Sequence, residues 1–541
     1  MKTTLSIVIS TIIIGALMSS FWIQPAQADA TIRIKADGTV DPVTAPIQRL
    51  GDTYTLTDNI TFYNYGIIVE RNNMTLDGAG HFIQGAPAGT GIQLIARKNV
   101  TVMKIEVRTY GKGIWLEDSS NITLRNTTIT GCNYNLGVFG HDTSHFMHNI
   151  DNSNSVDGKP VYYWIQLENK TVPVDAGYVA LIQCRRITMQ NLNLTRNGQG
   201  TLLVLTTSSM LVNNSMTYNY YGIHSDRSWN NTIKENIIKS NNQFGMFLTH
   251  SPSNTICENQ ITSNMIYGLY FDDSGENRVF ANIIAANQRG LLLWFSSDNW
   301  IFYNNFIGNV LPAEAYSASN TKWDHDYPAG GNYWSDYSGS DTNKDWIIDS
   351  PYNIDSSNRD NYPLIRQWTP HNIAATGLTC SKTVVGQGFN VTINATFVNR
   401  GICTENFIWR AYCNTTTLYE QAETLDGASS VSRRIVYNTT SLSKARYILW
   451  MSATGTAGET DLTDNSFTYG KFNVTSRGDV NENGRVNVLD LILVAIHLGH
   501  VGGDGHVLFS KLWYDCMNTD VNNDNNVNVL DLILVAKYLG T

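Results

Sequence analysis

The chain is poor in charge. Lys, Arg, Asp and Glu make up 15 % of its 541 residues, and the formal net charge is −9. No Lys/Arg patch interrupts that acidic balance, which argues against a nucleic-acid surface built on phosphate contacts. Beyond the N-terminal segment there is no apolar run long enough to cross a bilayer as a helix. Cysteines number seven, an odd count. Cys257 falls at an inward repeat position and reads as a buried hydrophobe. Cys380, Cys403 and Cys413 cluster later, with Cys403–Cys413 the expected disulfide. Helical periodicity is missing from the whole middle of the chain, which leaves β-structure as its organising element.

The length exceeds what one compact core supports, so several domains are expected. Met1-Lys2 is followed by an apolar segment to Leu17. Small residues for cleavage then appear at Ala26-Gln27-Ala28 and Ala28-Asp29-Ala30. Residues 1–30 therefore read as a secretory signal, with an uncleaved membrane anchor as the alternative. The expected location is secreted, extracellular or attached to a cell surface. Asn-x-Ser/Thr sequons recurring from Asn59 to Asn473 fit an exported, glycosylated surface.

What is abundant is repetition. Ile187-Thr188-Met189, Met210-Leu211-Val212, Thr232-Ile233-Lys234, Thr255-Ile256-Cys257, Arg278-Val279-Phe280 and Trp300-Ile301-Phe302 recur about every 22–23 residues, and a Gly signature follows half a period later at Gly200, Gly222, Gly245, Gly268 and Gly290. Short β-branched runs separated by Asn-rich turns make each repeat one coil of a right-handed parallel β-helix. Earlier coils start near Asn73, Asn99 and Asn121. The β-helix is expected over residues 31–368, with an N-terminal cap to about residue 70 and an insertion at 140–185 where the period fails. Repeat proteins place such insertions on one face, often the binding face.

Strand alternation assigns outward columns. Two places after each Gly stand Trp115, Leu202, His224, Phe247, Tyr270 and Leu292. Four places on stand Glu117, Val204, Asp226, Thr249, Asp272 and Trp294. Five places on, at the corner, stand Asp118, Leu205, Arg227, His250, Asp273 and Phe295. Asp226, Arg227, His250, Asp272 and Asp273 thus share one wall beside His224, Phe247 and Tyr270, and form the candidate catalytic set. With coils ~4.8 Å apart, Asp226 and Asp272 sit about 9–10 Å from each other, the upper edge of the ~6.5–9.5 Å used by inverting glycosidases. Aromatic faces beside acids also suit sugar binding, and a solvated polar wall is the plainer reading. His141, His145, Met147 and His148 in the insertion carry imidazole and thioether groups that suit copper.

After Asn305 the repeats stop. A Trp/Tyr/Gly-rich segment runs to Trp368 and includes Gly331-Asn332-Tyr333-Trp334-Ser335-Asp336-Tyr337. Within it Asp341, Asn343, Asp345 and Asp349 are spaced for a structural Ca²⁺, with a hydrogen-bonded turn as the alternative. Residues 372–475 alternate as short strands, for example Val391–Phe397 and Arg446–Trp450, and predict an Ig-like β-sandwich. Residues 478–541 hold one loop–helix unit twice, 41 residues apart. Loop positions 1, 3, 5, 7, 9 and 12 are Asp479, Asn481, Asn483, Arg485, Asn487 and Asp490 in the first copy. In the second they are Asp520, Asn522, Asp524, Asn526, Asn528 and Asp531. Side-chain oxygens with a backbone carbonyl at position 7 suit Ca²⁺. Asn525 replaces the turn Gly in the second loop and predicts weaker binding there.

Three resemblances follow from these motifs. The Gly331–Tyr337 run, the Asp341–Tyr352 run, Tyr362-Pro363-Leu364 and Val156–Trp164 resemble the NosD-type β-helix family of exported proteins. That resemblance implies the fold, and it brings the copper association of NosD itself as an option. Val391–Gly401 and Asp464-Asn465 resemble the CARDB family of adhesion-type modules. The duplicated loop–helix is similar to a type I dockerin, which implies a cohesin partner met through Val488-Leu489 and Val529-Leu530. The resulting expectation is an exported protein that binds glycans or a surface ligand through its β-helix and attaches through a calcium-dependent dockerin. Alternatives are a dockerin-borne polysaccharide hydrolase or lyase, and a periplasmic-type copper-binding protein.

Overall fold

A computed structural model describes residues 31–540, apart from positions 64, 344, 402, 460, 500–517 and 525. The expected signal segment and Asn525 lie outside the described residues. The protein is mainly β, and a β-solenoid of about 12 coils dominates it. The chain divides into two compact units: residues up to 254 with 261–272, and residues 255–260 with those from 273 onward.

In the first unit each coil contributes three short strands, and residues one coil apart pair in parallel. One sheet stacks Ile67–Val69, Thr90–Ile95, Lys112–Glu117 and Tyr134–Phe139, bringing Ile67, Ile92, Ile114 and Leu136 into one inward column. All four are at most 1 % exposed. At the first coil, Ile32–Ile34 adds to this sheet, and antiparallel strands Val40–Asp41 and Ile47–Leu50 close two edges. Such strands remove open edges that would otherwise pair with another chain.

Strands also run through the stretch expected to be an insertion, and they change the architecture there. Ser155–Val156 turns back antiparallel onto Lys159–Ile165, which then pairs in parallel with Tyr178–Ile182. That strand leads onward to Gln199–Val204, Tyr221–Asp226, Phe244–Thr249 and Tyr267–Asp272. The sheet holding Trp115 ends at Tyr134–Phe139, an outer strand that meets the start of a later coil instead of a fifth coil strand. There Gly198 N–H donates to the Leu136 carbonyl at 2.8 Å, and Gln199 Nε2 donates to the Val138 carbonyl at 2.8 Å. A Cβ on Gly198 would lie 2.4 Å from Gly137 Cα, so this approach requires glycine.

Stacked asparagines satisfy the buried corners. Asn241 Oδ1 accepts the Asn219 N–H at 2.9 Å, while its Nδ2 donates to the Met216 carbonyl at 3.1 Å and to Asn264 Oδ1 at 2.9 Å. The Asn-rich composition of the turns is therefore a structural requirement, since each side chain replaces water for corner amides that no strand pairs.

In the second unit a similar ladder runs Asn282–Asn304–Asn332 and ends at a carboxylate. Asp360 Oδ2 accepts from the Asn332 N–H at 2.7 Å and Trp334 Nε1 at 2.9 Å, and Oδ1 accepts from the Tyr362 N–H at 3.0 Å. Burial pushes the Asp360 carboxyl up to about 7. Trp334 stacks between Phe306 (4.3 Å) and Tyr352 (4.1 Å), so the Gly/Trp/Tyr-rich segment forms the solenoid's closing plug. A three-stranded and a five-stranded sheet follow, sharing a core around Ile393, Phe397, Trp409 and Leu449. Two short helices, Val488–Ile496 and Val529–Lys537, complete the unit. Each is capped by an asparagine (Asn487, Asn528) whose side chain accepts an amide of the first turn.

The expected Cys403–Cys413 disulfide does not form. Cys413 is buried in the two-sheet core, whereas Cys403 is part-exposed with its sulfur 3.9 Å from His371 Nε2.

Candidate functional site

The main concavity lies within the first unit, in a cleft of about 760 Å³. One side comes from the sheet that ends at Tyr134–Phe139 and supplies Lys112, Trp115, Glu117 and Phe139. The other comes from the later coils and supplies Tyr220, Tyr221, His224, Asp226, Phe247 and Asp272. The sequence register placed Trp115 and Glu117 in one column with His224 and Asp226. The structure corrects this: they belong to different sheets, because the chain changes sheets between residues 150 and 182. The two sets face each other across the cleft.

Aromatic rings line it almost continuously. Trp115 stacks on Phe139 at 4.6 Å, and Tyr220 meets both edge-on at 5.7 and 5.9 Å. Tyr221 stacks on Phe244 at 5.0 Å, His224 on Phe247 at 5.2 Å, and Phe247 on Tyr270 at 5.1 Å. Offset and edge-on arrangements of this kind are favourable and leave broad, rigid apolar faces. The Lys112 ammonium sits 4.1 Å over the Trp115 ring, and desolvation lowers its pKa. The sequence reading missed Lys112, Phe139, Tyr220 and Tyr221. Its one usable signal was the run Tyr218–Tyr221, three tyrosines immediately before a coil glycine.

The polar residues divide unequally. Asp226 was expected on a solvated wall but is only 5 % exposed. It accepts from Arg227 through Nε (3.1 Å to each oxygen) and Nη2 (2.5 Å), a contact that raises the Arg227 pKa. Arg227 Nη1 also reaches Thr143 Oγ1 at 3.3 Å, tying this corner to the short helical turn Thr143–Phe146. Register places Asp226 opposite Thr249, and Thr249 opposite Asp272, so the two aspartates are two coils apart on the same face. His250 lines the cleft with Nδ1 2.9 Å from Thr249 Oγ1. Asp273 is exposed at a left-handed corner (φ 46°) and does not line the cleft. His224 was read only as part of the aromatic column. It is 6 % exposed, Nδ1 has no hydrogen-bond partner, and burial holds its pKa down at about 4, so it is neutral at pH 7.

The four residues singled out for copper do not converge. His141 is exposed with Nδ1 2.9 Å from Asp118 Oδ1, and His145 Nδ1 lies 3.3 Å from the same oxygen while taking two backbone amides. His148 is buried, its Nδ1 accepts the Ile122 N–H at 3.3 Å, and burial lowers its pKa to about 4. Met147 packs against the hydrophobic core. Among the described residues no group of three or more His, Cys, Asp or Glu is arranged for a metal.

The three Asp/Asn loops share one hydrogen-bond pattern. Asp479 accepts the amides of Asn483 and Gly484 at 3.1 and 3.0 Å, Asn481 that of Asn483 at 3.0 Å, and Asn483 that of Arg485 at 2.9 Å. Asp341, Asn343 and Asp345 repeat this toward Asp345, Trp346 and Ile347. Asp520, Asn522 and Asp524 do so toward Asp524 and Asn526. At loop position 12, Asp490 accepts three amides and Asp531 accepts those of Asn522 and Asn528. Asn487 and Asn528 cap their helices. Asp349 turns aside to Thr342, accepting its N–H and hydroxyl at 2.9 Å each.

Residues 152–339 match the family model described as periplasmic copper-binding protein (NosD). No curated protein matches the sequence. Among solved structures, the chain is similar to the A-module of the Azotobacter vinelandii mannuronan C-5 epimerase AlgE6, at 16 % identity, covering 50 % of this chain and 80 % of that one, with a TM-score of 0.24. The periplasmic alginate epimerase AlgG follows at 12 % identity, 53 % and 64 % coverage and a TM-score of 0.26. The Dettilon tailspike protein gives 12 % identity, 72 % and 84 % coverage and a TM-score of 0.26.

Proposed function

We propose that this is an exported protein whose solenoid binds a glycan chain in the aromatic cleft of the first unit. The observation that carries the reading is the pairing of broad ring faces (Trp115, Tyr220, Tyr221, Phe247) with hydrogen-bonding carboxyl and guanidinium groups (Glu117, Asp226, Arg227, Asp272) in one concavity. Apolar ring faces suit the C–H faces of pyranoses, and the polar groups suit their hydroxyls. A glycan array with the intact protein and Ca²⁺ present tests it. Binding that weakens at least tenfold in Phe247→Ala supports the reading, and an array with no binding rejects it.

A second reading, cleavage of the bound chain by a hydrolase or lyase, is favoured by Asp226 and Asp272 standing on one cleft face beside His250. Arg227 grips the Asp226 carboxylate through Nε and Nη2, while Asp272 stands two coils away. Unchanged turnover of a polysaccharide panel by Asp226→Ala and Asp272→Ala would eliminate this version.

We further propose that the C-terminal pair of loops is a dockerin that binds Ca²⁺ and a cohesin-type partner, and that residues 372–475 form a CARDB-like module. The oxygen-only donor sets fit a hard cation, and Val488, Leu489, Val529 and Leu530 are all more than half exposed. The loop at 341–345 carries the same turn and is proposed as a third, structural Ca²⁺ site, with Asp349 outside its ligand set. Calorimetric titration with Ca²⁺ that releases no heat would refute all three sites. Copper is named in the description of the matched family, but among the described residues no histidine cluster is arranged to hold it. The matched range holds only His224, His250 and His325, and no step is assigned to the metal.

A further inference from the structure

The first unit carries a second concavity, of about 620 Å³, where successive coil corners line up. Tyr134, Arg196, Tyr218, Ser240, Asn242 and Met265 lie along it. It adjoins the main cleft across one aromatic pair: Tyr134 lines the groove, Tyr220 lines the cleft, and their rings meet edge-on at 5.6 Å. Tyr218 and Tyr220 flank the buried corner residue Asn219, so a single turn presents one ring to each side.

Two features of the groove point to a ligand. Tyr218 is 61 % and Met265 64 % exposed, large side chains left uncovered on an otherwise amide- and hydroxyl-lined surface. Arg196 is the sole charged side chain lining it, and its guanidinium is exposed with no ion-pair partner among the described residues. Its backbone is fixed, because the Arg196 carbonyl accepts the Asn135 N–H at 2.6 Å in the seam between the two stacks of coils. An unpaired guanidinium on a net-acidic chain, lining one groove with Tyr134 and Tyr218, is a recognition element for a carboxylate.

Resting on the glycan reading of the cleft, we propose that the ligand is an acidic polysaccharide long enough to cross the Tyr134/Tyr220 saddle. The groove is its second binding segment, and Arg196 pairs with a uronate-type carboxylate there. Joining two adjacent segments on one chain makes the second contact intramolecular, so affinity rises with ligand length.

The test is calorimetric titration of the full chain with acidic oligosaccharides of increasing length and with neutral oligosaccharides of matching length. The expected result is an affinity gain of about tenfold or more from short to long acidic ligands. Arg196→Ala removes that gain without changing the affinity for short ligands, Arg196→Lys keeps part of it, and Tyr218→Ala reduces it. Arg196 is exposed, so its variants should melt with the wild type. The groove proposal is overturned if length brings no gain, if neutral chains gain equally, or if Arg196→Ala weakens short and long ligands alike. Failure of every ligand to bind the wild type overturns the cleft reading itself.

Discussion

Acid should destabilise the first unit through two buried histidines. His148 and His224 are 3 % and 6 % exposed, and burial lowers both from 6.5 to about 4. Between those limits the unfolded chain binds a proton that the folded unit refuses, so stability falls with falling pH. It is fully present above about pH 6.5 and lost as pH approaches 4. A span of about 2.5 pH units at ~1.36 kcal/mol per unit gives about 3 kcal/mol per histidine, roughly 6–7 together. The second unit carries the opposite dependence. Asp360 and Asp464 are pushed up from 3.8 to about 7 by burial, so they keep protons that the unfolded chain releases, and their contribution falls as pH rises from 4 to 7. Urea unfolding between pH 4 and 7, followed by hydrogen exchange resolved to each unit, separates the two slopes. His224→Phe keeps a ring against Phe247, and His148→Asn keeps an acceptor near the Ile122 amide. Each should remove about half of the acid sensitivity of the first unit, and the double variant nearly all of it. An acid slope in the first unit that survives both substitutions would show that these histidines are hydrated in solution, and the reasoning would fail.

Other perturbations have equally direct readouts. Asn241→Ala leaves the Asn219 N–H and the Met216 carbonyl without the partners Asn241 supplies in a dry corner; at ~1–3 kcal/mol per unmet group, chemical denaturation should show a loss of about 2–6 kcal/mol. Asp490→Ala removes the acceptor of three amides in the first C-terminal loop. It should abolish one Ca²⁺ equivalent in calorimetry while the second loop still titrates. Removal of Ca²⁺ with a chelator should lower the melting temperature of the C-terminal helices and leave the first unit's transition in place, as followed by differential scanning calorimetry.

The sequence made the solenoid legible because its constraint is local and repeated. Each coil needs an inward Ile, Leu or Val, a corner residue tolerant of left-handed angles, and an Asn to satisfy the corner. The corner positions deduced from spacing, Asp118, Arg227 and His250, all have φ near 50°. The facing of the two walls was not legible. It depends on the antiparallel reversal between Val156 and Lys159, a two-residue turn that leaves both flanking repeat patterns intact. Extrapolating one register across that reversal put Trp115 and His224 in the same column. Burial of Asp226 was hidden for a related reason, since its cover comes from Arg227 and Thr143, which lie 84 positions apart in the chain. The copper reading rested on the NosD resemblance and on the residue types of the insertion, where His145 and His148 are taken up by backbone amides and His141 by Asp118.

In a regular solenoid any concavity follows from the small rotation between successive coils. Here concavity comes from interrupting the stack so that two sheets face each other, and the seam at Gly198 sets their separation. This makes Gly198→Ala a test of the cleft's origin. The added methyl would fall 2.4 Å from Gly137 Cα and 3.1 Å from the Leu136 carbonyl oxygen, both backbone, so no side chain can swing away. Overpacking of this kind costs about 1–3 kcal/mol. It should also lengthen the Gly198–Leu136 and Gln199–Val138 hydrogen bonds, which hold Phe139 near Tyr220 and Tyr221. Ligand affinity should therefore fall together with stability, although Gly198 lies outside the cleft lining. Gly158→Ala provides the control: that glycine has a positive φ (78°) and open space around it, so it should lose some stability without losing affinity. Equal ligand affinity in the wild type and Gly198→Ala would mean that the seam does not set the cleft, and that the two walls are held in place by the Thr143–Arg227 contact instead.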